Sequence, residues 1–226
     1  MIEKAEENLI GVAADSKHRQ QRLKAVIGIL LAITVLTSAL IGFHVFRALL
    51  PRNFIAPVDR DSIEMKTAEL FAGPDGAFLY RFTTTDAYSR LRLSVSTYCV
   101  GELLGKATVM ELGFDGVGSP KAGELLLVPD FKHYVVNIVI SADGTKGSTE
   151  YPILEGVADR EYYGRAAAQI SESTDIRYNG EQALLALIYD NDKLRTLDVN
   201  DLMAGRTDAL AENDYVYFFS FEFIKE

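Results

Sequence analysis

The residues of this chain best able to do chemistry are its histidines and its single cysteine. Of three histidines, only His133 lies in the long C-terminal part, because His18 and His44 fall near the N-terminus. A metal site built on several histidines is therefore excluded there within one chain. A Ser-His-Asp triad would have to use His133, and the sequence holds no Gly-x-Ser-x-Gly elbow. We interpret His133 as a surface or strand-edge histidine.

Cys99 is the only cysteine, so no disulfide can form within one chain. It is a candidate nucleophile with His133, in sortase-like or papain-like chemistry. However, Cys99 continues an apolar strand-like run and has no basic neighbour that would favour the thiolate. The pattern favours a buried structural thiol.

Carboxylates offer a second chemistry, since a pair of them can hydrolyse a glycosidic bond. The acidic candidates are Glu102, Glu111, Glu150, Glu155, Glu161, Glu172 and Glu181. Their abundance does not single out one pair. The run Asp190-Asn191-Asp192 resembles part of a calcium loop, but the spaced ligands and the terminal glutamate are missing, so we interpret it as a turn. We predict no catalytic, cofactor-binding or metal-binding residue and no cofactor.

Exposed aromatic rings could form a platform for a sugar, although the chain has no tryptophan among its aromatic residues. The tyrosines considered for this role are Tyr88, Tyr98, Tyr151, Tyr162, Tyr163 and Tyr178. Tyrosines in β-sandwiches more often lie half-buried at strand edges, and we favour that interpretation. The sequence contains no Walker, Rossmann or zinc-finger motif, and it resembles no family known to us.

An uncharged apolar run extends from Ala25 to Val45, between Lys24 and Arg47. At about 1.5 Å of rise per residue, a helix of this length spans the ~30 Å hydrocarbon layer of a bilayer. We therefore predict a transmembrane helix over residues 25–46, in contact with lipid through Ala25–Val45. The alternatives are a cleaved signal peptide, whose apolar core is shorter, and a buried helix of a soluble protein. Within the run, a contact of Thr37 with a partner helix is one interpretation, but we favour a hydroxyl that bonds to its own helix.

The charges that flank this run predict its orientation. Lys17, Arg19, Arg22 and Lys24 lie close before it, whereas only Arg47 and Arg52 follow it closely. The positive-inside rule then places the N-terminus in the cytoplasm. We predict a cytoplasmic tail over 1–24, the helix over 25–46, a juxtamembrane linker over 47–62 and an extracytoplasmic domain over 63–226. The protein would be a single-pass protein of the cell membrane.

The domain beyond the anchor is acidic. From Met1 to Arg52 there are 7 basic and 4 acidic side chains, but from Asn53 onward there are 16 and 28, a formal charge of −12. Such a domain is repelled by phosphates, so we predict no nucleic-acid partner. The absence of disulfides and of Asn-x-Ser/Thr sequons fits a bacterial cell envelope better than a eukaryotic exterior.

The domain has a strand-like pattern, clearest where apolar residues alternate with polar ones over Leu91–Tyr98. Turn signals such as Asn179-Gly180 separate the runs. The predicted strands are Ala77–Thr83, Leu91–Tyr98, Ala107–Phe114, Glu124–Val128, Tyr134–Ser141, Gln182–Tyr189 and Tyr215–Ile224. Short strands with frequent turns predict an antiparallel β-sandwich, of jelly-roll or Ig-like type.

Three segments do not show simple alternation of apolar and polar residues. Ser62–Phe71 fits either a short helix or an irregular first strand. Ala158–Ser171 has a helix-favouring composition, but its flanks suit a strand, which we favour. Tyr215–Ile224 is apolar on both faces, which predicts a central strand.

These features predict a membrane-anchored, non-enzymatic β-sandwich that binds a protein partner or an envelope component. The alternative is a cell-envelope hydrolase that uses loop carboxylates on a glycan or peptide. It requires two carboxylates in one cleft, at least one of them with a raised pKa. A third hypothesis is that an exposed sheet edge pairs with a strand of a partner.

Overall fold

The computed structural model describes residues 53–114, 118–206 and 208–225, together with Thr34, Thr37 and Ser38. The chain divides into two compact units, Met1–Leu50 and Pro51–Glu226. The tail predicted over 1–24 and nearly all of the helix predicted over 25–46 lie outside the described residues.

Within the first unit, Thr34, Thr37 and Ser38 are helical. The Thr37 hydroxyl donates a hydrogen bond of 3.0 Å to the carbonyl oxygen of Thr34, which confirms the predicted bond within its own helix. No helix in the described part of the chain is long and apolar enough to cross a bilayer.

The second unit is mainly β and consists of two antiparallel sheets packed as a sandwich. The first sheet contains β1 (Phe54–Pro57), β2 (Phe78–Thr83), β5 (Ala122–Asp130), β6 (Val135–Ala142), β7 (Thr145–Pro152) and β9 (Thr174–Asp175). Its six strands are ordered β7-β6-β5-β2-β1-β9, so β7 and β9 form its edges.

The second sheet contains β3 (Arg90–Cys99), β4 (Glu102–Gly113), β8 (Gly164–Gln169), β10 (Gln182–Asp190) and β11 (Tyr215–Ile224). Its five strands are ordered β4-β3-β11-β10-β8. Two α-helices, α1 (Ile63–Ala72) and α2 (Val199–Met203), complete the unit with short 3₁₀ turns at Gly73–Asp75, Arg160–Tyr162 and Asp208–Glu212.

The hydrophobic core lies between the sheets and is rich in aromatic rings. Phe219 and Phe223 of β11 are fully buried, and the ring of Phe223 meets that of Phe82 edge to face at 5.2 Å. On the opposite face of β11, Phe218 and Ser220 are also buried. This double burial, between β3 and β10, confirms the prediction that Tyr215–Ile224 forms a central strand.

The seven predicted strands all fall on strands of the structure, namely β2, β3, β4, β5, β6, β10 and β11. The ambiguous segment Ser62–Phe71 is helix α1. Ala158–Ser171 contains β8, which confirms the strand interpretation, although a 3₁₀ turn precedes it.

Three strands differ from the sequence prediction, namely β1, β7 and the two-residue strand β9. β1 lies within the segment 47–62 that we predicted to be a linker, and it pairs with both β2 and β9. The folded domain therefore begins before residue 63. β7 was not predicted, because Thr145–Pro152 is mostly polar and forms an exposed sheet edge.

Capping residues define both ends of helix α1. The Ser62 side chain accepts a hydrogen bond of 3.1 Å from the backbone N–H of Met65, which caps the N-terminus. Gly73 ends the helix with φ of 70°, a conformation that glycine adopts without steric cost, and Pro74 follows it. This short helix is held against the outer face of the six-stranded sheet.

Candidate functional site

An apolar groove lies between α1 and the outer face of the six-stranded sheet. Met65 is the helix residue buried against this face, where it packs with Ala77 and Leu79. Ala68 and Ala72 lie on the same side of α1, one and two turns further along. Ala68 and Ala72 have short side chains that cover little of the sheet surface, so the helix covers only part of the sheet.

The uncovered part forms a groove of about 530 Å³. The helix contributes Thr67 and Phe71, and the sheet contributes Leu126, Val128 and Val139. These three aliphatic residues come from β5 and β6 and are only half-buried. Asn137 and Ser141 of β6 also line the groove, so its floor is a mainly apolar sheet face that no described element covers completely.

The helix beside the groove exposes large apolar side chains. Relative to full exposure, Ile63 is 81% exposed, Leu70 is 79% exposed and Phe71 is 85% exposed. Single exposed apolar residues are common, but Phe71 also lines the groove, so its ring extends the apolar surface of the groove into a larger patch. Patches of this kind mark interaction surfaces.

Charged residues surround the groove. Glu64 of α1 and Glu124 of β5 line it, and Lys146 lies at the β7 side. The Arg81 guanidinium is paired with the Glu124 carboxylate at 2.7 Å, across the β2–β5 register. The groove therefore has an apolar floor and a polar, mixed-charge rim, the pattern seen at protein interfaces.

No family model, no curated protein and no solved structure matches this chain. Its function therefore has to be inferred from its own residues.

His133 is placed in an exposed turn. Its Nδ1 lies 2.7 Å from a carboxylate oxygen of Asp130, whose other oxygen accepts the backbone N–H groups of Lys132 and His133. The hydrogen bond from His133 is the main cause that lowers the pKa of Asp130. The histidine thus stabilises its own turn, which agrees with a surface role.

Cys99 is the last residue of β3 and is half-buried rather than fully buried. It lies directly opposite Tyr215 in the β3–β11 register. Burial, and then the neighbouring Cys99, raise the pKa of the Tyr215 hydroxyl. Cys99 lies at the end of β3 in the five-stranded sheet, whereas His133 lies in the turn between β5 and β6 of the six-stranded sheet. No contact between the two side chains is present among the described residues.

The carboxylate candidates are mostly distributed over the surface. Glu111 is bound by the Arg92 guanidinium at 2.8 Å, and this hydrogen bond lowers the pKa of Glu111. Glu181 is paired with Lys106. A general acid in a hydrolase needs the opposite shift, which is a raised pKa. The other candidates, Glu102, Glu150, Glu155, Glu161 and Glu172, are exposed.

Asp190 forms a turn, as interpreted from Asp190-Asn191-Asp192. One of its carboxylate oxygens accepts the backbone N–H groups of Asp192 and Lys193 at 2.8 and 2.6 Å. Its other oxygen accepts the N–H of Asp214 at 3.1 Å. Both oxygens of the Asp190 carboxylate therefore accept hydrogen bonds from the protein backbone. Within the described ranges, no cluster of three His, Cys, Asp or Glu side chains is arranged to hold a metal ion.

The tyrosines do not form one platform. Tyr88, Tyr151 and Tyr178 direct their rings against core phenylalanines, for example Tyr88 against Phe223 at 5.1 Å. Tyr162 is 76% exposed. Most of these rings are therefore part of the packing, as tyrosines in β-sandwiches usually are.

Two sheet edges carry features that oppose edge-to-edge pairing. The β3–β4 register shifts twice, between Leu93 and Ser94 and between Thr97 and Tyr98, which marks bulges. β7 contains Lys146 and ends at Pro152. Bulges, lysine and proline are the usual protection of an exposed edge, so the hypothesis of strand addition gains no support at β4 or β7.

Proposed function

We propose that this chain is a membrane-anchored, extracytoplasmic β-sandwich, of jelly-roll or Ig-like type, that binds a protein partner through the groove beside α1. The observation that carries the proposal is the continuous apolar surface of the groove floor and Phe71. The anchor remains the transmembrane helix predicted over 25–46, with the N-terminus in the cytoplasm.

The partner class follows from the chemistry of the surface. An anionic lipid surface is disfavoured, because the chain from Asn53 onward carries 28 acidic against 16 basic residues. The groove instead fits a partner segment with apolar side chains for the floor and a basic side chain for Glu64. Covering the Phe71 side chain fully would stabilise the complex by about 1.5–3 kcal/mol.

We expect Phe71 to be a hot-spot residue, whose side chain contributes a large part of the binding free energy. A photo-crosslinking amino acid placed at position 71 of the full-length protein in native membranes should label one protein, identified by mass spectrometry. The same amino acid at Leu104, which is 62% exposed on β4 of the other sheet, is the matched control and should not label that protein. With the purified partner, Phe71→Ala should weaken binding about 30-fold or more, the loss of about 2 kcal/mol typical of a central aromatic residue.

Different outcomes would contradict this proposal. Labelling of lipid alone at position 71 would assign the patch to the membrane surface. Equal labelling from positions 71 and 104, or unchanged affinity of Phe71→Ala, would show that the groove is not the binding surface. Because Phe71 is 85% exposed, its replacement should leave the fold intact.

The orientation can be tested with cysteine labelling. In a Cys99→Ser background, Glu155→Cys places a thiol on an exposed loop, and Ser16→Cys places one in the predicted tail. A membrane-impermeant maleimide should label Glu155→Cys in intact spheroplasts and Ser16→Cys only after lysis. The reverse pattern would place the sandwich in the cytoplasm and remove the envelope from the proposed function.

A further inference from the structure

At one end of the sandwich, a second cleft of about 300 Å³ is lined in part by Asp75, from the 3₁₀ turn that follows α1, and shares no lining residue with the groove beside α1. Two segments frame it: the turn after β5 that contains Phe131, Lys132 and Tyr134, and the loop and 3₁₀ turn that lead from Leu154 to β8. This cleft is lined by cationic and aromatic side chains in a domain that is otherwise acidic.

Two guanidinium groups line the cleft, and each of them stacks on an aromatic ring. The Arg160 guanidinium lies 3.8 Å from the centre of the Tyr134 ring, and that of Arg165 lies 4.0 Å from the centre of the Phe131 ring. Arg165 is also paired with Asp75 at 3.1 Å. Stacking and pairing of this kind fix planar donors in place before a ligand arrives.

One residue of the cleft lining carries a buried hydroxyl without a partner. Tyr189 lines the cleft and is only 1% exposed, and its hydroxyl has no hydrogen-bond partner among the described residues. Its ring is held edge to face by Phe131 at 5.8 Å and by Tyr217 at 5.7 Å. Burial raises the pKa of Tyr189, so this hydroxyl stays protonated and available as a donor. A buried unpaired hydroxyl is costly, and a bound acceptor would satisfy it.

Three residues in the loops around the cleft have an unusual backbone conformation. Tyr134, Leu154 and Asp159 all have positive φ, at 56°, 52° and 53°. The Leu154 N–H is fixed by the Tyr217 hydroxyl at 2.6 Å, and the Ile153 N–H by the carbonyl of Tyr134 at 2.9 Å. Non-glycine residues rarely adopt this conformation, and they concentrate where a surface must be held in one shape.

The charges of the lining indicate the kind of anion. Lys132, Arg160 and Arg165 face the carboxylates of Asp75 and Glu161, which leaves a small positive excess. One carboxylate balances this excess, whereas a doubly charged phosphate would leave the occupied cleft with a net negative charge. A carboxylate also matches the planar fork of a guanidinium.

We propose that this cleft binds the carboxylate group of a small organic acid, with Arg160 and Arg165 as its cationic partners and the Tyr189 hydroxyl as a neutral donor. The site is independent of the groove beside α1, so the failure of one assignment leaves the other standing. The carboxylate belongs either to a free acid or to the C-terminal end of a peptide.

Benzoate is a suitable probe, with benzamide as a neutral ligand of the same shape and inorganic phosphate as the competing anion. Calorimetric titration of the full-length protein in detergent micelles should show saturable binding of benzoate and neither of the others. Arg160→Gln and Arg165→Gln should each weaken benzoate binding about tenfold or more, the effect of losing a charged hydrogen bond. Arg195→Gln, at an exposed arginine paired with Glu212, should not.

Tyr189→Phe separates binding from folding. Removal of an unpaired buried hydroxyl should leave the melting temperature unchanged or raise it, and should still weaken benzoate binding several-fold. The matched control is Tyr88→Phe, which removes another buried unpaired hydroxyl in a different part of the core and should not affect benzoate.

The site assignment would be overturned by equal binding of benzamide or phosphate, by the absence of saturable benzoate binding, or by wild-type affinity in the arginine and Tyr189 variants. The same titration with N-acetylglycine and with a peptide that ends in a free carboxylate, against its amidated form, distinguishes a free acid from a chain end.

Discussion

Replacing Phe223 with alanine is expected to lower the free energy of unfolding of the sandwich by about 3–5 kcal/mol. The Phe223 side chain is fully buried and meets four other rings, those of Phe82, Tyr88, Tyr178 and Phe221, at 5.1–6.2 Å. Its removal leaves a cavity at the centre of the core that rigid neighbouring rings cannot fill. For a domain of this size the melting temperature should fall by roughly 6–20 °C.

Urea unfolding of the full-length protein in micelles can measure this loss. The chain has no tryptophan, so the signals are tyrosine fluorescence and near-ultraviolet circular dichroism. The control is Phe71→Ala, which removes the same side chain from a position that is 85% exposed and should change stability by no more than about 0.5 kcal/mol. Equal losses in the two variants would show that Phe223 is not in the core as described.

The second large effect is expected at Gly123. This residue lies directly opposite Phe82 in the β2–β5 register, and the Phe82 ring occupies the space of a side chain. A Cβ at position 123 would lie 2.5 Å from the Phe82 ring and 2.8 Å from the backbone carbonyl oxygen of Ser141. Since a backbone carbonyl cannot rotate away, Gly123→Val should cost about 3 kcal/mol or more.

Gly105→Val is the matched control for this substitution. Gly105 is also in a strand, β4, but no heavy atom lies within 4 Å of its would-be Cβ. Valine favours strands, so this variant should be as stable as the parent protein. A similar loss of stability in both variants, measured by the same urea unfolding, would mean that any side chain is poorly tolerated and that the contact with Phe82 is not the cause.

Local patterns were sufficient to predict the inner strands of the fold. Tyr215–Ile224 is apolar on both faces, and only a central strand of a sandwich can bury both. β7 escaped prediction because an exposed edge does not require apolar residues, and Thr145–Pro152 has few. β1 is only four residues long, and its identity depends on pairing with β2, which the local sequence does not encode.

The two surfaces depend on contacts between residues far apart in the chain. The sequence marks Leu70 and Phe71 as apolar, but it cannot tell that α1 covers only part of the sheet face formed by β5 and β6. Likewise, Arg160 and Arg165 are ordinary surface residues until Tyr134 and Phe131 fix them from across the sandwich. A basic pair five residues apart gives no local signal of a shared cleft.

Strand β1 also has a mechanical consequence. It is the first strand of the described domain, so any tension transmitted from the N-terminal part of the chain reaches it first. Only four residues pair it with β2 and two pair it with β9, whereas β3 and β11 are joined over ten. Under load, β1 is therefore the weak point, and its detachment would release β9 and uncover Ile55 while the five-stranded sheet stays intact.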